Sequence, residues 1–425
     1  MFKNIFYIVI LLTALNLIPF ETATAQEKSA ADSASVKKPA SATVGATASD
    51  AGFSIKSSDN NFALKFKGLI QADTKVFVDD FNKAANDQIG LRNARLDFQG
   101  ILYKDFEFRL LSEYGDAKAG DLLDSYLEYK KYSILSVRIG KQKPQVGLEK
   151  VQARNALLFA ESPLSDNLVP NRDIGILFYG KVNFLTTSYS FGIFDGVENR
   201  GQLDNDLNDQ KEVHGRIFLE PFQKSEDNFL KGLGFGVSGT FSDRASEVRP
   251  SYKTSGRTDF FKYKTDVNSA RKHFRISPQG YFYWNSLGLS GDYVQSTQKF
   301  VLSTNSAELD TKAWSFSASY VLFGGVPSFN SVKPETNFDP DNGTWGALEV
   351  AVRLSSLKID NKAFPIFADP TKYPGQADAS GFGINWYLNK AVKVVFNYEQ
   401  TNFKSKSAVK FPSEKLVLTR VQFAF

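Results

Sequence analysis

From Phe62 to Val78 apolar and polar side chains take turns along the chain. Phe62, Leu64, Phe66, Ile70, Val76 and Val78 fall on one face, and Lys65, Lys67, Gln71, Asp73 and Lys75 on the other. A period of two held over that length describes an extended strand with one apolar and one polar side. The pattern returns in Ala94, Leu96 and Phe98 against Arg95, Asp97 and Gln99, and in Phe106, Phe108 and Leu110 against Glu107 and Arg109. Near the end, Leu348, Val350, Val352 and Leu354 oppose Glu349 and Arg353, and Val392, Val394, Phe396 and Tyr398 oppose Lys393, Asn397 and Glu399.

Followed along the chain, the alternation predicts about sixteen strands, an even number as a single-chain bacterial barrel requires. They are expected near 62–79, 88–102, 106–114, 122–131, 134–143, 172–182, 184–194, 211–220, 232–243, 273–284, 287–297, 311–323, 345–356, 381–389, 391–402 and 414–425. The connectors fall into two kinds. Short ones recur at Tyr103-Lys104-Asp105, Lys131-Tyr132-Ser133, Asn285-Ser286 and Asn389-Lys390; long ones occupy 144–171, 195–210, 244–272, 298–310 and 357–380. The Pro-, Asn- and Gly-rich stretch 324–344 breaks the rule and is expected as an unusually long turn on the short side. The fold class is therefore all-β: a transmembrane antiparallel barrel with short periplasmic turns and long extracellular loops.

Alternation alone does not say which face is outside, since a soluble barrel buries its apolar face and a membrane barrel turns it to lipid. Three features choose lipid. The first is an export signal over 1–25: Lys3, an apolar stretch from Ile5 to about Phe20, then Ala23-Thr24-Ala25. The second is a polar face carrying both signs of charge, which a closed barrel tolerates when water fills it. The third is the ending Val421-Gln422-Phe423-Ala424-Phe425, apolar at alternate positions up to a final Phe. Beyond the signal no apolar run approaches the ~18 residues of a membrane-spanning helix. Between signal and barrel, 26–58 is rich in Ala, Ser, Thr and Lys and is read as a flexible periplasmic segment, a tether to another envelope component being the alternative. The barrel domain is placed at 59–425.

Composition narrows the chemistry. There is no cysteine, so no disulfide framework and no thiolate site. The net charge of +5 arises from 51 basic and 46 acidic residues, unlike the one-sided surface of a nucleic-acid binder. The only histidines are His214 and His273, with no G-x-S-x-G elbow and no H-E-x-x-H pair, so no enzyme activity is expected. His214, on the polar face, is the one residue that a barrel hydrolase could use. Two acidic clusters, Asp204, Asp206, Asn208, Asp209 and Asp339, Asp341, Asn342, have oxygen ligands for calcium but are read as hydrated turns. No metal or cofactor is expected.

Several stretches are familiar. Gly140-Lys141-Gln142-Lys143-Pro144-Gln145-Val146-Gly147-Leu148-Glu149 resembles the signature of the phosphate-selective porin O and P family, with Gln145 where that family usually has a second proline. Leu91 to Leu96, Arg172-Asp173-Ile174-Gly175, Gly383 to Tyr387 and Leu418 to Phe425 resemble it too, in order along nearly the whole barrel. The resemblance implies a sixteen-stranded homotrimeric porin of the Gram-negative outer membrane, with Phe425 as the signal for the barrel-assembly machinery. It also implies arginines and a lysine cluster that hold phosphate, and Arg95, Lys141, Lys143 and Arg172 sit in matching motifs.

A pore selects by width and by wall charge. The wall cations are Lys65, Lys67, Lys75, Arg95, Arg109, Lys141, Lys143, Arg353 and Arg420, and an arginine fork suits phosphate or carboxylate oxygens. The alternative is that they pair across strands with Asp97, Glu107, Glu113, Asp124, Glu349 and Glu399. The 144–171 connector is expected as a constriction loop, since a barrel this wide would otherwise be unselective; Lys150, Arg154, Asn155 and Glu161 would project from it. The stretch 249–275 is expected as a basic outer vestibule, or as a loop binding lipopolysaccharide phosphates. Small inorganic or organic anions are the expected cargo. A general pore for larger or neutral solutes, or an adhesive or structural barrel silent in a conductance assay, are the competing readings.

Overall fold

The computed structural model describes residues 44–49, 52–80, 86–116, 120–196, 210–226, 229–243 and 249–425. The expected signal and the cluster Asp204, Asp206, Asn208, Asp209 lie outside the described residues.

Sixteen strands form the wall. They are β1 (Phe62–Asp79), β2 (Gln88–Leu102), β3 (Phe106–Glu113), β4 (Asp121–Tyr132), β5 (Leu135–Gln142), β6 (Asp173–Val182), β7 (Thr187–Phe194) and β8 (Glu212–Leu219), then β9 (Gly232–Ser242), β10 (Asn268–Trp284), β11 (Leu287–Leu302), β12 (Asn305–Phe323), β13 (Ala347–Lys358), β14 (Gln376–Tyr387), β15 (Val392–Lys404) and β16 (Glu414–Ala424). Each pairs antiparallel with the next, and β16 returns to β1 from Lys415↔Asp79 to Ala424↔Leu69. Closure leaves no open edge in the wall, which is what a sheet surrounded by lipid needs.

The faces are those of a membrane barrel. On β1, Ile70 and Val76 are 47% and 39% exposed, whereas the intervening Gln71, Asp73 and Lys75 are 0%, 5% and 6% exposed. The apolar set points out and the charged set points in, the reverse of a soluble barrel. Among the described residues no helix is long and apolar enough to cross a membrane.

Three expectations need correction. The long loop expected at 298–310 is a tight hairpin, because β11 and β12 run on to Leu302 and Asn305, which pair. There the alternation inverts: Lys299 points out, while Phe300 and Leu309 point in and are buried. Strands that rise past the lipid meet water outside, so the apolar face turns inward and the sequence signal fades. The same extension starts β10 at Asn268 instead of 273. Second, the segment expected to be flexible ends in a hairpin, Val44–Ser49 paired with Gly52–Ser57. Its second strand pairs with β1 through Phe53↔Phe66 to Lys56↔Ala63. β1 runs past the end of β16, so that stretch of its edge is taken by the hairpin. Phe53 meets the terminal Phe425 ring edge-on at 5.6 Å. Third, 220–231 is a second long connector at the turn end, beside 324–346. The latter folds back on the wall, burying Val332 with Val321, Ala347 and Tyr387.

Gly140 in β5 has φ +126°, and a Cβ there would lie 2.3 Å from the Ser125 carbonyl oxygen across the ladder. Backbone cannot yield as a flexible side chain can, and a non-glycine residue at this φ is strained. Gly140→Ala is therefore expected to destabilise the barrel by about 2 kcal/mol or more, read as a lower fraction of heat-resistant folded band on unheated gels. An unchanged fraction would show that this contact relaxes freely.

Candidate functional site

The loop between β5 and β6, residues 143–172, folds against the inner wall of the barrel. Gly147 at φ +77° turns the chain inward, and Leu148–Val151, Arg154–Ala156 and Leu164–Leu168 form short helical turns. A loop inside a barrel must find partners for its backbone groups, and here the wall provides them. Arg420 Nη1 donates to the Ala160 carbonyl (2.6 Å), Arg353 Nη1 to Glu161 O (2.9 Å), Lys393 Nζ to Leu157 O (3.0 Å) and Asn385 Nδ2 to Leu158 O (3.0 Å). Asn397 Oδ1 accepts from the Ala160 amide at 2.8 Å, and Gln422 Nε2 donates to Asn155 O at 3.1 Å. These donors sit on β13 to β16, so the loop is fastened to one side of the barrel. Its apolar residues Val146, Leu164, Leu168 and Val169 join a buried cluster with Tyr252, Phe260 and Phe261 of the β9–β10 loop and with Phe367 of the β13–β14 loop. Part of the expected outer vestibule thus packs inward as an apolar plug.

Glu161 is the charge centre of the loop. Arg92 Nε lies 2.6 Å from it, Arg154 Nη2 3.4 Å, Arg420 Nη2 3.6 Å and Lys75 Nζ 3.9 Å. Burial pushes this carboxyl up, but the Arg92 and Arg154 guanidiniums outweigh burial and hold it well below the usual carboxylate range. It therefore stays ionised as pH falls, and its stabilisation is lost only in strong acid.

On the loop side of the constriction lies a cavity of about 610 Å³. Among the described residues ten Lys or Arg line it against seven Asp or Glu, so that lining is net positive. Arg95, Lys143 and Arg172, from the matching motifs, meet here. Arg95 Nε is 2.7 Å from Glu113 and Arg172 Nε 2.7 Å from Asp124, while Lys143 Nζ donates to the Gln152 carbonyl at 2.9 Å. Burial, with Arg172 close by, brings the Lys143 ammonium down to about 7. Lys150, from the loop, is 3.6 Å from Asp166, and Arg249, Lys253 and Arg257 of the β9–β10 loop complete the rim.

The other expected wall cations sit elsewhere. Lys65 is exposed and Lys67 half-buried at the turn end of β1, far along the strand from Lys75. Lys141 is buried on β5 outside this cavity. Arg109 bridges Asp97 (2.8 Å) and Asp124 (3.1 Å). Arg353 and Arg420 are each 2% exposed and lie behind the loop. Arg353 grips Glu399 with both contacts at 3.0 Å beneath the Phe159 ring, and Arg420 grips Asp73 at 2.7 Å twice. For these residues the cross-strand pairing alternative describes the geometry. His214 Nε2 is 2.6 Å from Glu212 with its ring stacked on Phe194, and the histidine that touches a hydroxyl is His273, 2.8 Å from Ser296 Oγ. Asp339 spends its carboxylate on the Asn342 backbone and side chain, as a capped turn does.

Arg92 is the functional residue that alternation misses. Asn93 pairs with Gln71 and Leu91 with Ala72, leaving Arg92 as the extra residue of a bulge, re-aimed into the lumen. Counted by parity it belongs on the lipid face. Lys393 and Asn397 were legible as wall residues, but the bonds that they and Asn385 make to a distant loop leave no mark in the local sequence.

Comparison with known proteins agrees with this architecture. The family described as phosphate-selective porin O and P matches residues 64–425. Porin O of Pseudomonas aeruginosa is 26% identical over 384 residues, covering 82% of this chain and 84% of that protein. Among solved structures, the anion-selective porin from Comamonas acidovorans superposes with a TM-score of 0.54 at 14% identity, covering 86% of this chain and all of that one. The trimer form of OmpT from Vibrio cholerae gives 0.54 at 11% identity, over 86% and 99% of the two chains. The structural likenesses establish the fold, and the family match over most of the chain establishes descent: this protein belongs to the phosphate-selective porin O and P family of outer-membrane channels.

Proposed function

We propose that the barrel is a passive diffusion channel that prefers small anions, phosphate among them, and that the cavity above the loop is its collecting vestibule. The observation that carries this is the excess of ten cations over seven carboxylates among the described residues around that 610 Å³ space. Confined charge of one sign raises the local concentration of the other. In this reading Arg95, Arg172 and Lys143 offer the phosphate its first donors, Lys150 and Arg257 widen the funnel, and Glu161 keeps the loop in place. The names of Porin O's family and of the anion-selective Comamonas relative fit the same cargo. Assembly as a homotrimer is part of the proposal, supported by the family and by the trimeric OmpT. So are Phe425 as the signal for barrel assembly, contact of the outer loops with lipopolysaccharide, and the division into signal, N-terminal segment and barrel. No reaction is assigned to the barrel, consistent with a family of channels.

The test is phosphate block of chloride current through the purified protein in a planar bilayer. Block by phosphate in the millimolar range, relieved in Lys143→Gln, supports the reading; chloride current indifferent to phosphate would remove phosphate from the cargo. A pH dependence follows from Lys143. Its ammonium is charged below about 7 and neutral above, so the anion-to-cation permeability ratio should fall between about pH 6 and 8. Lys143→Arg, which does not titrate in that range, should flatten the profile. A wild-type ratio constant across that interval would contradict the assignment of Lys143.

A further inference from the structure

Below the constriction, on the turn side, lies a second and larger cavity of about 1110 Å³. Its chemistry differs from that of the vestibule. Arg216 points in from β8 with its guanidinium 4.5 Å over the Phe218 ring. Arg95, Arg109, Arg172, Arg353 and Arg420 each lie within 4 Å of a carboxylate, whereas Arg216 has no ion pair among the described residues. Its Nε is buried and without a hydrogen-bond partner. Its cross-strand neighbours are the short Ser190 and Ser238, and it lines the cavity with Glu220 near it but beyond ion-pair distance.

Beside this cation stands a shelf of rings. Tyr281 packs 5.2 Å from Phe218 and stacks on Phe329 at 5.0 Å with 28° between the planes. The shelf is fixed from two sides. The Tyr281 hydroxyl donates to Glu220 at 2.9 Å, and the Phe329 carbonyl accepts from Gln152 Nε2 of the constriction loop at 2.7 Å. The long turn after β12 thus rises to touch the underside of the loop, and whatever leaves the constriction on this side passes the rings. A guanidinium without an ion pair is costly in a wall where Arg95, Arg109, Arg353 and Arg420 each have one, and with Glu220 beyond ion-pair distance it is a receptor for an anion. Inorganic phosphate has no use for the aromatic shelf, and a neutral apolar solute has no use for the arginine.

We propose that this cavity is a second binding site, for a small organic anion with an aromatic body: its carboxylate is forked by Arg216 and its ring lies on the Tyr281–Phe329 pair, which Phe218 backs. The site widens the cargo from inorganic anions to aromatic carboxylates and stands on side chains that the vestibule does not use. Its test therefore separates from that of the channel reading. Calorimetric titration of the full-length protein in detergent micelles uses benzoate as probe, with acetate and inorganic phosphate as comparators. Benzoate is expected to bind at least about tenfold more tightly than acetate. Arg216→Gln should weaken benzoate about tenfold, and Phe329→Ala should weaken benzoate severalfold while leaving phosphate unchanged. Arg216 has no ion pair to lose and Phe329 lies in a turn, so both variants should fold. Benzoate that binds no better than acetate, or that binds both variants as it binds the parent, would overturn the proposal whether or not the barrel conducts phosphate.

Discussion

Replacing Glu161 with glutamine should both loosen the barrel's interior and sharpen its preference for anions. Four cations, Arg92, Arg154, Arg420 and Lys75, lie within 4 Å of this one carboxylate, and the residue is 5% exposed. Glutamine keeps the shape and removes the charge, so the cluster is left with like charges facing one another. Breaking a buried pair by removing one partner costs about 3–5 kcal/mol, and Asp73 and Asp116 compensate only for Arg420 and Arg92. Two readouts should move together. The temperature at which the folded band disappears on gels should fall, and the reversal potential in a salt gradient should shift further to the anion side, because a negative charge has left the floor of the vestibule. Glu161→Asp, which keeps the charge, should retain the parent selectivity. Unchanged selectivity and stability in Glu161→Gln would mean that this carboxylate organises nothing.

The second large effect concerns the vestibule itself. The triple substitution Arg95→Gln, Lys143→Gln, Arg172→Gln takes the lining from ten cations to seven, equal to its seven carboxylates. Each charge within a Debye length of the permeating ion contributes on the order of 0.5–1 kcal/mol at partial screening. Removing three should therefore lower the anion-to-cation permeability ratio by about ten- to a hundredfold and bring the reversal potential close to zero. Arg109 still lies 3.1 Å from Asp124, so that carboxylate keeps a partner in the variant. Lys143→Gln alone, which breaks no ion pair of its own ammonium, should give a smaller shift of the same sign and serves as the folding control. A triple variant with the parent's reversal potential would place selectivity elsewhere in the pore.

The wall was legible because lipid imposes a strict rule at every second position. Along β1, Ile70, Val76 and Val78 had to be apolar, and Gln71, Asp73 and Lys75 could be polar only because they faced inward. Where the lipid ends, the rule ends. Lys299 and Phe300 exchange faces above the membrane, and the strand looked like a loop. The hairpin from Val44 to Ser57 was hidden for a related reason: its first strand is built almost wholly of small residues, and Phe53 and Ile55 of the second alternate over too short a length to mark a strand.

The site was legible in its cast more than in its roles. Arg95, Lys143, Arg172, Lys150, Arg154 and Glu161 do gather around one space, as their motifs and the loop's length suggested. Arg353 and Arg420 were placed in the pore by the same parity, yet their donors go to Glu399, to Asp73 and to the carbonyls of a loop about 190 to 260 residues away in sequence. No local pattern encodes such a partner. Arg92 shows the converse, since a one-residue bulge moved it from the lipid side to the centre of the charge cluster.

The central claim is that the vestibule's excess of positive charge makes this channel select anions. The most direct test is the reversal potential of the parent protein in a planar bilayer under a potassium chloride gradient. The account predicts a potential displaced toward the chloride equilibrium value; a potential at zero, or displaced toward that of potassium, would contradict it.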